Sequence, residues 1–207
     1  MPDLTLEIAL QSRGIFRIAG IDEAGRGPLA GPVAAAAVIL PKNYHCPGLD
    51  DSKKISPSKR QILYQQITNH PDISWAVATA DREEIDRLNI LQATHLAMRR
   101  AVEALSPLPD HCLIDGLPVK NFPIPHDGII KGDGLSLSIA AASIIAKVTR
   151  DWIMFELDQE FPQFGFAKHQ GYGTKMHLEA LRIHGPCCQH RRSFKPVAQW
   201  GLPLDGA

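Results

Sequence analysis

The sequence predicts an α/β fold, a mixed sheet flanked by helices, with a helical and basic extension at its C-terminal end. Three observations carry this. Short apolar runs bounded by glycine and proline dominate the first eighty residues, at Ile15–Ile21, Val33–Leu40 and Ile73–Ala80. Beyond them, strand-like runs alternate with helical periodicities, the pattern of a sheet covered by helices. From Gly165 to Lys195 six cations and four histidines stand against one acid, Glu179. The predicted division is a body over 1–160 with a basic helical extension over 161–207 packed on it as one structural unit.

The first run, Ile15–Ile21, delivers Asp22. The second, Val33–Leu40, lies between Pro32 and Pro41. The intervening Gly25-Arg26-Gly27-Pro28-Leu29-Ala30-Gly31-Pro32 is dense in turn residues, so the two runs are expected to form a hairpin. Asn43–Pro57 is a polar loop, and Ser58–Asn69 is a short helix. Ile73–Ala80 is a third strand. Asp81 then opens one long helix to about Leu105, with Asp81 and Glu84 in capping-box spacing and Ile85, Leu88, Leu91, His95, Met98 and Val102 on one face. His111–Ile114 and Gly128–Lys131 are short strands, and Leu137–Glu160 is a helix. Thr174–His184 is a last helix with a threonine N-cap, stopped by Gly185-Pro186.

A length of 207 residues accommodates one domain with a full core. With 44% hydrophobic and 21% charged residues the composition is that of a soluble globular protein, and no apolar run is long enough to span a membrane. Acids at Asp3 and Glu7 argue against a signal peptide. Cys46, Cys112, Cys187 and Cys188 form no C-x-x-C pair, so the expectation is reduced thiols in a cytoplasmic protein. A net charge of zero does not advertise a nucleic-acid binder, but the basic block after Gly165 could face phosphates or be a solvated surface.

The chemistry is concentrated at strand ends. Asp22-Glu23, Asp115 and Asp133 each follow an apolar run. Acids at the ends of sheet strands tend to gather along one edge, where ligands bind. Converging carboxylates repel, and hard divalent cations such as Mg²⁺ or Mn²⁺ relieve the repulsion through oxygen ligands. Taken singly, each acid also reads as a turn residue or helix cap. Adjacent strand residues point to opposite faces, so Asp22 and Glu23 share a site only if the strand ends between them. Gly25-Arg26-Gly27 can present successive N–H groups as an anion nest, or can be a plain turn. Asp51-Ser52-Lys53-Lys54 can grip phosphate or be a solvated loop. Ser143, Lys147 and Asp151 share a helix face, which suits either a phosphate contact or a Lys147–Asp151 ion pair. Tyr172, between two glycines, can stack on a sugar or base or pack under its loop.

Together these segments resemble the ribonuclease HII family. The matching stretches are Gly20–Pro28, Asp51–Lys54, Leu113–Gly116, Lys131–Asp133, Ala142–Asp151, Gly171–Thr174 and His190–Phe194, co-linear from about Ile18 to Val197. The resemblance implies a ribonuclease H-like fold. It also implies an endonuclease acting on RNA–DNA hybrids and on ribonucleotides embedded in duplex DNA. Its four metal-site acids fall on Asp22, Glu23, Asp115 and Asp133. Asp133 is preferred to Asp151 as the fourth because its motif puts it at a strand end, whereas Asp151 lies down a helix beside Lys147. The family's junction-reading residues fall on Gly25, Arg26, Gly27 and Tyr172, and its DNA-backbone contacts on Ser52, Lys53, Ser143 and Lys147. Gln170 stands where a basic residue is expected, which weakens one phosphate contact. Two Mn²⁺ or Mg²⁺ ions would act during hydrolysis, leaving 5′-phosphate and 3′-hydroxyl ends. Arg26 is too cationic for a base and is assigned to positioning. A monomer with no membrane association is expected. The rival readings are a histidine-based, metal-independent ribonuclease and a hybrid-binding module without catalysis. No histidine motif supports the former, and the intact acid set opposes the latter.

Overall fold

The computed structural model describes residues 1–200. Its strands are β1 (Ile18–Ala24), β2 (Val33–Ile39), β3 (Ser74–Ala80), β4 (His111–Asp115) and β5 (His126–Ile129). They form one sheet in the order β3-β2-β1-β4-β5. β1 pairs antiparallel with β2, and β2 with β3. The pairs β1–β4 and β4–β5 are parallel. The sheet is therefore mixed, as expected, and the first two strands form the predicted hairpin.

The helices are α1 (Thr5–Gln11), α2 (Pro57–Thr68), α3 (Arg82–Leu88), α4 (Ile90–Glu103), α5 (Leu137–Glu160), α6 (Phe166–His169), α7 (Lys175–His184) and α8 (Lys195–Ala198). On one face of the sheet, Ala97, Met98 and Ala101 of α4 pack on Ala19, Ile21, Ala35 and Ala37. On the other, Ala140, Ala141 and Ile144 of α5 pack with Ala36 and Val38, and α2 adds Leu63 and Ile67. β2 is buried on both faces, which is why Val33–Ile39 is apolar without alternation. Small residues let α5 lie very close to the sheet. A Cβ on Gly20 would stand 2.1 Å from the Ser138 carbonyl carbon, so only glycine fits under the helix there.

The expected long helix over 81–105 is two helices. Asn89 takes φ 69° and ψ 163°, ends α3, and its side chain caps α4 by accepting from the Gln92 N–H. The apolar period runs through the break because both helices bury one stripe against the same sheet. Asp81 and Glu84 do form the capping box that starts α3. β1 also starts later and ends later than Ile15–Ile21, continuing through Asp22 and Glu23 to Ala24. The predicted strand at Gly128–Lys131 lies earlier, at β5. Lys131 is left-handed (φ 58°) and opens a 3₁₀ turn over Gly132–Gly134.

Helix α1 carried no recognised sequence signal. Its Glu7 is buried and accepts at Oε1 from the Ser136 and Ser138 hydroxyls (2.6 and 2.7 Å) and from the Ser138 N–H (3.1 Å), beside the start of α5. At the other end of the chain, Phe164, Phe166, Leu181 and Val197 form an apolar cluster with Leu29, Ala30 and Met154. The segment after α5 is thus packed on the loop between β1 and β2.

Candidate active site

The parity of the strands brings two acids together. Gly20 lies under α5, so Asp22 also faces α5. Leu113 on β4 packs with Ile18 and Ile139 on that side, so Asp115 does too. Ile21 pairs with Ile114 in parallel register, which sets Asp22 and Asp115 side by side one residue further on. Asp133 arrives from the 3₁₀ turn before α5, and Gly132 of that turn donates its N–H to Asp115 Oδ1 at 2.7 Å. Asp133 is therefore not at a strand end, as the sequence suggested, but in a turn fastened to the end of β4.

Glu23 is the odd member. β1 does not end between Asp22 and Glu23, so the condition expected for a shared site is not met at the backbone. Glu23 lies on the α4 side by parity, but at the last turn of the strand, where its carboxylate reaches the sheet's end. Its Oε1 accepts from the Arg26 guanidinium at 3.3 Å. Its own N–H donates to Asp22 Oδ1 at 2.7 Å.

The electrostatics describe one cluster. Burial pushes the Asp22 carboxyl well above the usual range, and the charges of Glu23 and Asp115 push it further. Burial raises Glu23, against the pull of Arg26, and Asp115 raises it again. Asp133 is raised by burial and by Asp115 and Asp51, with Lys53 opposing. Lys53 reaches to 3.8 Å from Asp133, and with Arg26 at 3.3 Å from Glu23 it supplies the positive charge beside this acid set. Asp151 stands apart, in a 2.6 Å ion pair with Lys147 one turn up α5. Among the described residues no three His, Cys, Asp or Glu side chains already surround an ion-sized centre. Asp22 and Asp115 accept from the N–H groups of Glu23 and Gly132, and Glu23 accepts from Arg26. The donor set suits hard divalent cations: oxygen ligands only, mutually repelling, with Lys53 and Arg26 as the nearby counter-charges.

A cleft of about 180 Å³ adjoins the cluster, lined by Glu23, the Gly25–Gly27 segment, Ser52, Lys53, Ser143, Lys147 and Tyr172. Every substrate-contact residue expected from the sequence thus borders one hollow. Two are not free as they stand: Ser143 donates to Ser52 Oγ at 2.8 Å, and both are buried. Tyr172 is 48% exposed, with its ring edge over Gly27. Gln170 folds back to donate to the Ala167 carbonyl at 2.9 Å and so does not point outward.

The comparisons with known proteins bear on the family and the fold. The family model for ribonuclease HII matches residues 19–197. The chain belongs to the ribonuclease HII family. A ribonuclease HII of Desulfitobacterium hafniense (strain DSM 10664 / DCB-2) is 59% identical over 193 residues, 93% of this chain and 74% of the relative. The ribonuclease H2 structure from Pyrococcus horikoshii OT3 superposes with a TM-score of 0.73 at 25% identity, covering 89% of this chain and 97% of that one. A structure of Bst-RNase HIII in complex with Mn²⁺ shares the fold, with a TM-score of 0.65 at 18% identity over 89% of this chain and 68% of that one. The fold is that of ribonuclease H, and the protein is a metal-dependent endoribonuclease of the type 2 class. No helix among its described residues is long and apolar enough to cross a membrane.

Two residues near the site escaped sequence reasoning. Arg191 belongs to the basic block expected either to face phosphates or to form a solvated surface, yet it is fully buried, as is Arg150. Arg150 donates to the carbonyls of Pro32, Gln170 and Ala30. Arg191 donates to those of Gly31, Arg26, Gly25 and Pro32. Backbone acceptors leave no trace in a sequence, so charge alone read as surface. Three histidines of the same block, His169, His177 and His190, are also buried, which removes them from any phosphate-facing or acid–base role at the surface.

Proposed function

We propose that this protein cleaves the phosphodiester 5′ of a ribonucleotide embedded in duplex DNA, as well as RNA in RNA–DNA hybrids. Asp22, Glu23, Asp115 and Asp133 would hold the catalytic divalent cations, Mn²⁺ or Mg²⁺. Two such ions, when bound, would supply an activated water and neutralise charge on the departing 3′-oxygen, leaving 5′-phosphate and 3′-hydroxyl ends. The observation that carries the reading is the double membership of Glu23. It is electrostatically tied to Asp115 and Lys53 on one side, and it lines the cleft shared with Gly25, Arg26, Gly27 and Tyr172 on the other. A phosphate backbone in that cleft would lie against the acids.

The chain's own residues then divide the work. The backbone N–H groups of the Gly25–Gly27 segment offer donors to a 2′-hydroxyl, the group that distinguishes RNA from DNA. The half-exposed Tyr172 ring offers a stacking face to the neighbouring sugar. Arg26, half-exposed and paired with Glu23, orients that carboxylate and meets phosphate as a charge. Lys53 and Lys147 supply cations at the cleft wall, and Ser52 and Ser143 hold the loop and the helix that carry them. All of these groups come from one chain, so the reading requires no second subunit.

The test is an assay on duplex DNA with one ribonucleotide, in Mg²⁺ or Mn²⁺. A single cut 5′ of the ribonucleotide, lost in chelator and in Asp22→Asn, is expected. Folded protein that leaves this duplex intact under both metals would overturn the reading.

A further inference from the structure

Arg150 and Arg191 are charged groups in the interior with no carboxylate partner. Neither takes part in an ion pair among the described residues. Burial pushes Arg150 down to about 10 and Arg191 to about 9, so both keep their proton at neutral pH. Their charge is met instead by seven hydrogen bonds to main-chain carbonyls, at 2.6–3.3 Å. Burying two guanidiniums is costly, and well-packed apolar residues commonly stabilise a core at least as well. What the arginines accomplish is geometric.

Arg191 draws the carbonyls of Gly25 and Arg26 inward, at 2.6 and 3.0 Å. In a trans peptide the carbonyl and the following N–H point in opposite directions. The N–H groups of Arg26 and Gly27 are therefore turned away from the guanidinium, and neither has a protein acceptor among the described residues. Arg150 ties the same loop to the tyrosine loop: one guanidinium holds Pro32 and Ala30 on one side and Gln170, two residues before Tyr172, on the other. A direct bond from the Leu29 N–H to the Gly171 carbonyl, 2.8 Å, closes the frame. Gly25, at φ +99°, is where Arg150 passes. A Cβ there would lie 1.9 Å from its Nε.

We propose that Arg150 and Arg191 are positioning residues for substrate selection. They fix the distance between the outward N–H groups of Arg26 and Gly27 and the Tyr172 ring, and so set discrimination for a ribonucleotide–DNA junction. This rests on the junction reading given above. Neither arginine bonds to Asp22, Glu23, Asp115 or Asp133.

The experiment compares kcat/KM for duplex DNA with one ribonucleotide against a continuous RNA–DNA hybrid, in wild type, Arg150→Lys and Arg191→Lys. Lysine keeps the charge but cannot span the carbonyls. The expected result is a loss of junction preference of about 10- to 100-fold, the scale of a misplacement near 1 Å. Mn²⁺ affinity, measured by titration calorimetry, should stay unchanged. A merely structural role would lower both substrates together, and equal losses, or a preserved preference in folded variants, would overturn the clamp. A wild type that leaves the single-ribonucleotide duplex uncut would overturn the junction reading, whereas one that cuts both substrates without preference would overturn the clamp alone. A second measurement does not depend on the lysine variants folding. In Asp22→Asn protein with Mg²⁺, the amide resonances of Arg26 and Gly27 should shift with the ribonucleotide duplex and not with the all-DNA duplex. Unmoved amides with the ribonucleotide duplex bound would sink the proposal.

Discussion

The backbone N–H of Gly132 donates to Asp115 Oδ1 at 2.7 Å, so the third acid of the cluster holds the turn that carries the fourth, Asp133. Two substitutions separate these duties. Asp115→Asn keeps an acceptor for Gly132 and removes the charge. Cleavage should fall by at least about 100-fold while the melting temperature stays near wild type. Asp115→Ala loses the acceptor as well and leaves a buried N–H unpaired, which costs about 1–3 kcal/mol. A second variant as stable as the first would show that the hydrogen bond does not secure the turn.

Asp133 and Asp151 compete for the place of fourth acid, and their surroundings differ. Asp133 is buried beside Asp115 and Lys53. Asp151 is spent on Lys147 at 2.6 Å, in an ion pair about a quarter exposed on each side. Partly exposed helical pairs of this kind contribute little, about 0.3–0.5 kcal/mol. Asp133→Asn should abolish cleavage to the same degree as Asp22→Asn, and Asp151→Asn should retain activity to within about 3-fold. Reversed outcomes in a side-by-side rate measurement would move the fourth ligand to the helix.

Asp22 should be a burden to the fold without metal. Its carboxyl is buried, and Glu23 and Asp115 repel it. Asp22→Asn should therefore raise the melting temperature in chelator by a few degrees, about 2–4 °C for each kcal/mol relieved. Wild type should gain from Mn²⁺, by about 2.7 kcal/mol at a hundredfold excess over Kd, because the ion binds the folded chain. The variant should lose most of that gain. Thermal melts of both proteins with and without metal decide it: a variant less stable than wild type in chelator would mean that the Asp22 charge is already compensated.

The sheet was legible where local chemistry and burial point the same way. Pro32 and Pro41 bracket β2, and its unbroken Val-Ala-Ala-Ala-Ala-Val-Ile run matches a strand covered on both faces. The Asn89 break was not, because the helical period of apolar residues continues across it. A left-handed asparagine announces itself in φ, not in spacing. The convergence of Asp22 and Asp115 could be anticipated from strand-end placement, and register explains it. Glu23 could not be placed, since parity sends it the other way until the strand's end frees it. Arg191 misled for a different reason: its partners are main-chain carbonyls, identical at every residue type, so only coordinates tell an interior arginine from a surface one.

Glu7 fastens the N-terminal helix to the start of α5 through three hydrogen bonds at one carboxylate oxygen. It is also an anion near the positive end of a 24-residue helix. Glu7→Ala strips all three bonds and leaves two buried serine hydroxyls without that acceptor. We expect a loss of about 2–3 kcal/mol in urea unfolding. Glu7→Gln keeps an acceptor oxygen and should lose less. Equal losses for the two would assign the effect to packing alone.

His190 is sealed in the C-terminal cluster with its proton economy defined by its neighbours. Its Nδ1 faces the Cys187 N–H at 3.0 Å and so must accept. Its Nε2 is then the donor, to Nε2 of His177 at 3.0 Å, and His177 in turn donates from Nδ1 to the Tyr172 carbonyl at 2.9 Å. Both rings are neutral in this arrangement, and a proton added to either breaks it. Burial and the facing His177 push His190 from 6.5 down to about 4, and burial lowers His177 too. The unfolded chain therefore takes up these protons first. The contribution to stability is present above pH 6.5 and is lost as pH falls toward 4, by about 3 kcal/mol for His190. Asp22, Glu23 and Asp133 act in the opposite sense, because burial raises them. The measurement must therefore be a difference. Urea unfolding of wild type and His190→Gln between pH 7 and pH 4 should converge as the pH drops, since glutamine does not titrate. Parallel curves would mean that His190 keeps its unfolded proton affinity in the native state, and that the relay ending at the Tyr172 carbonyl does not hold it neutral.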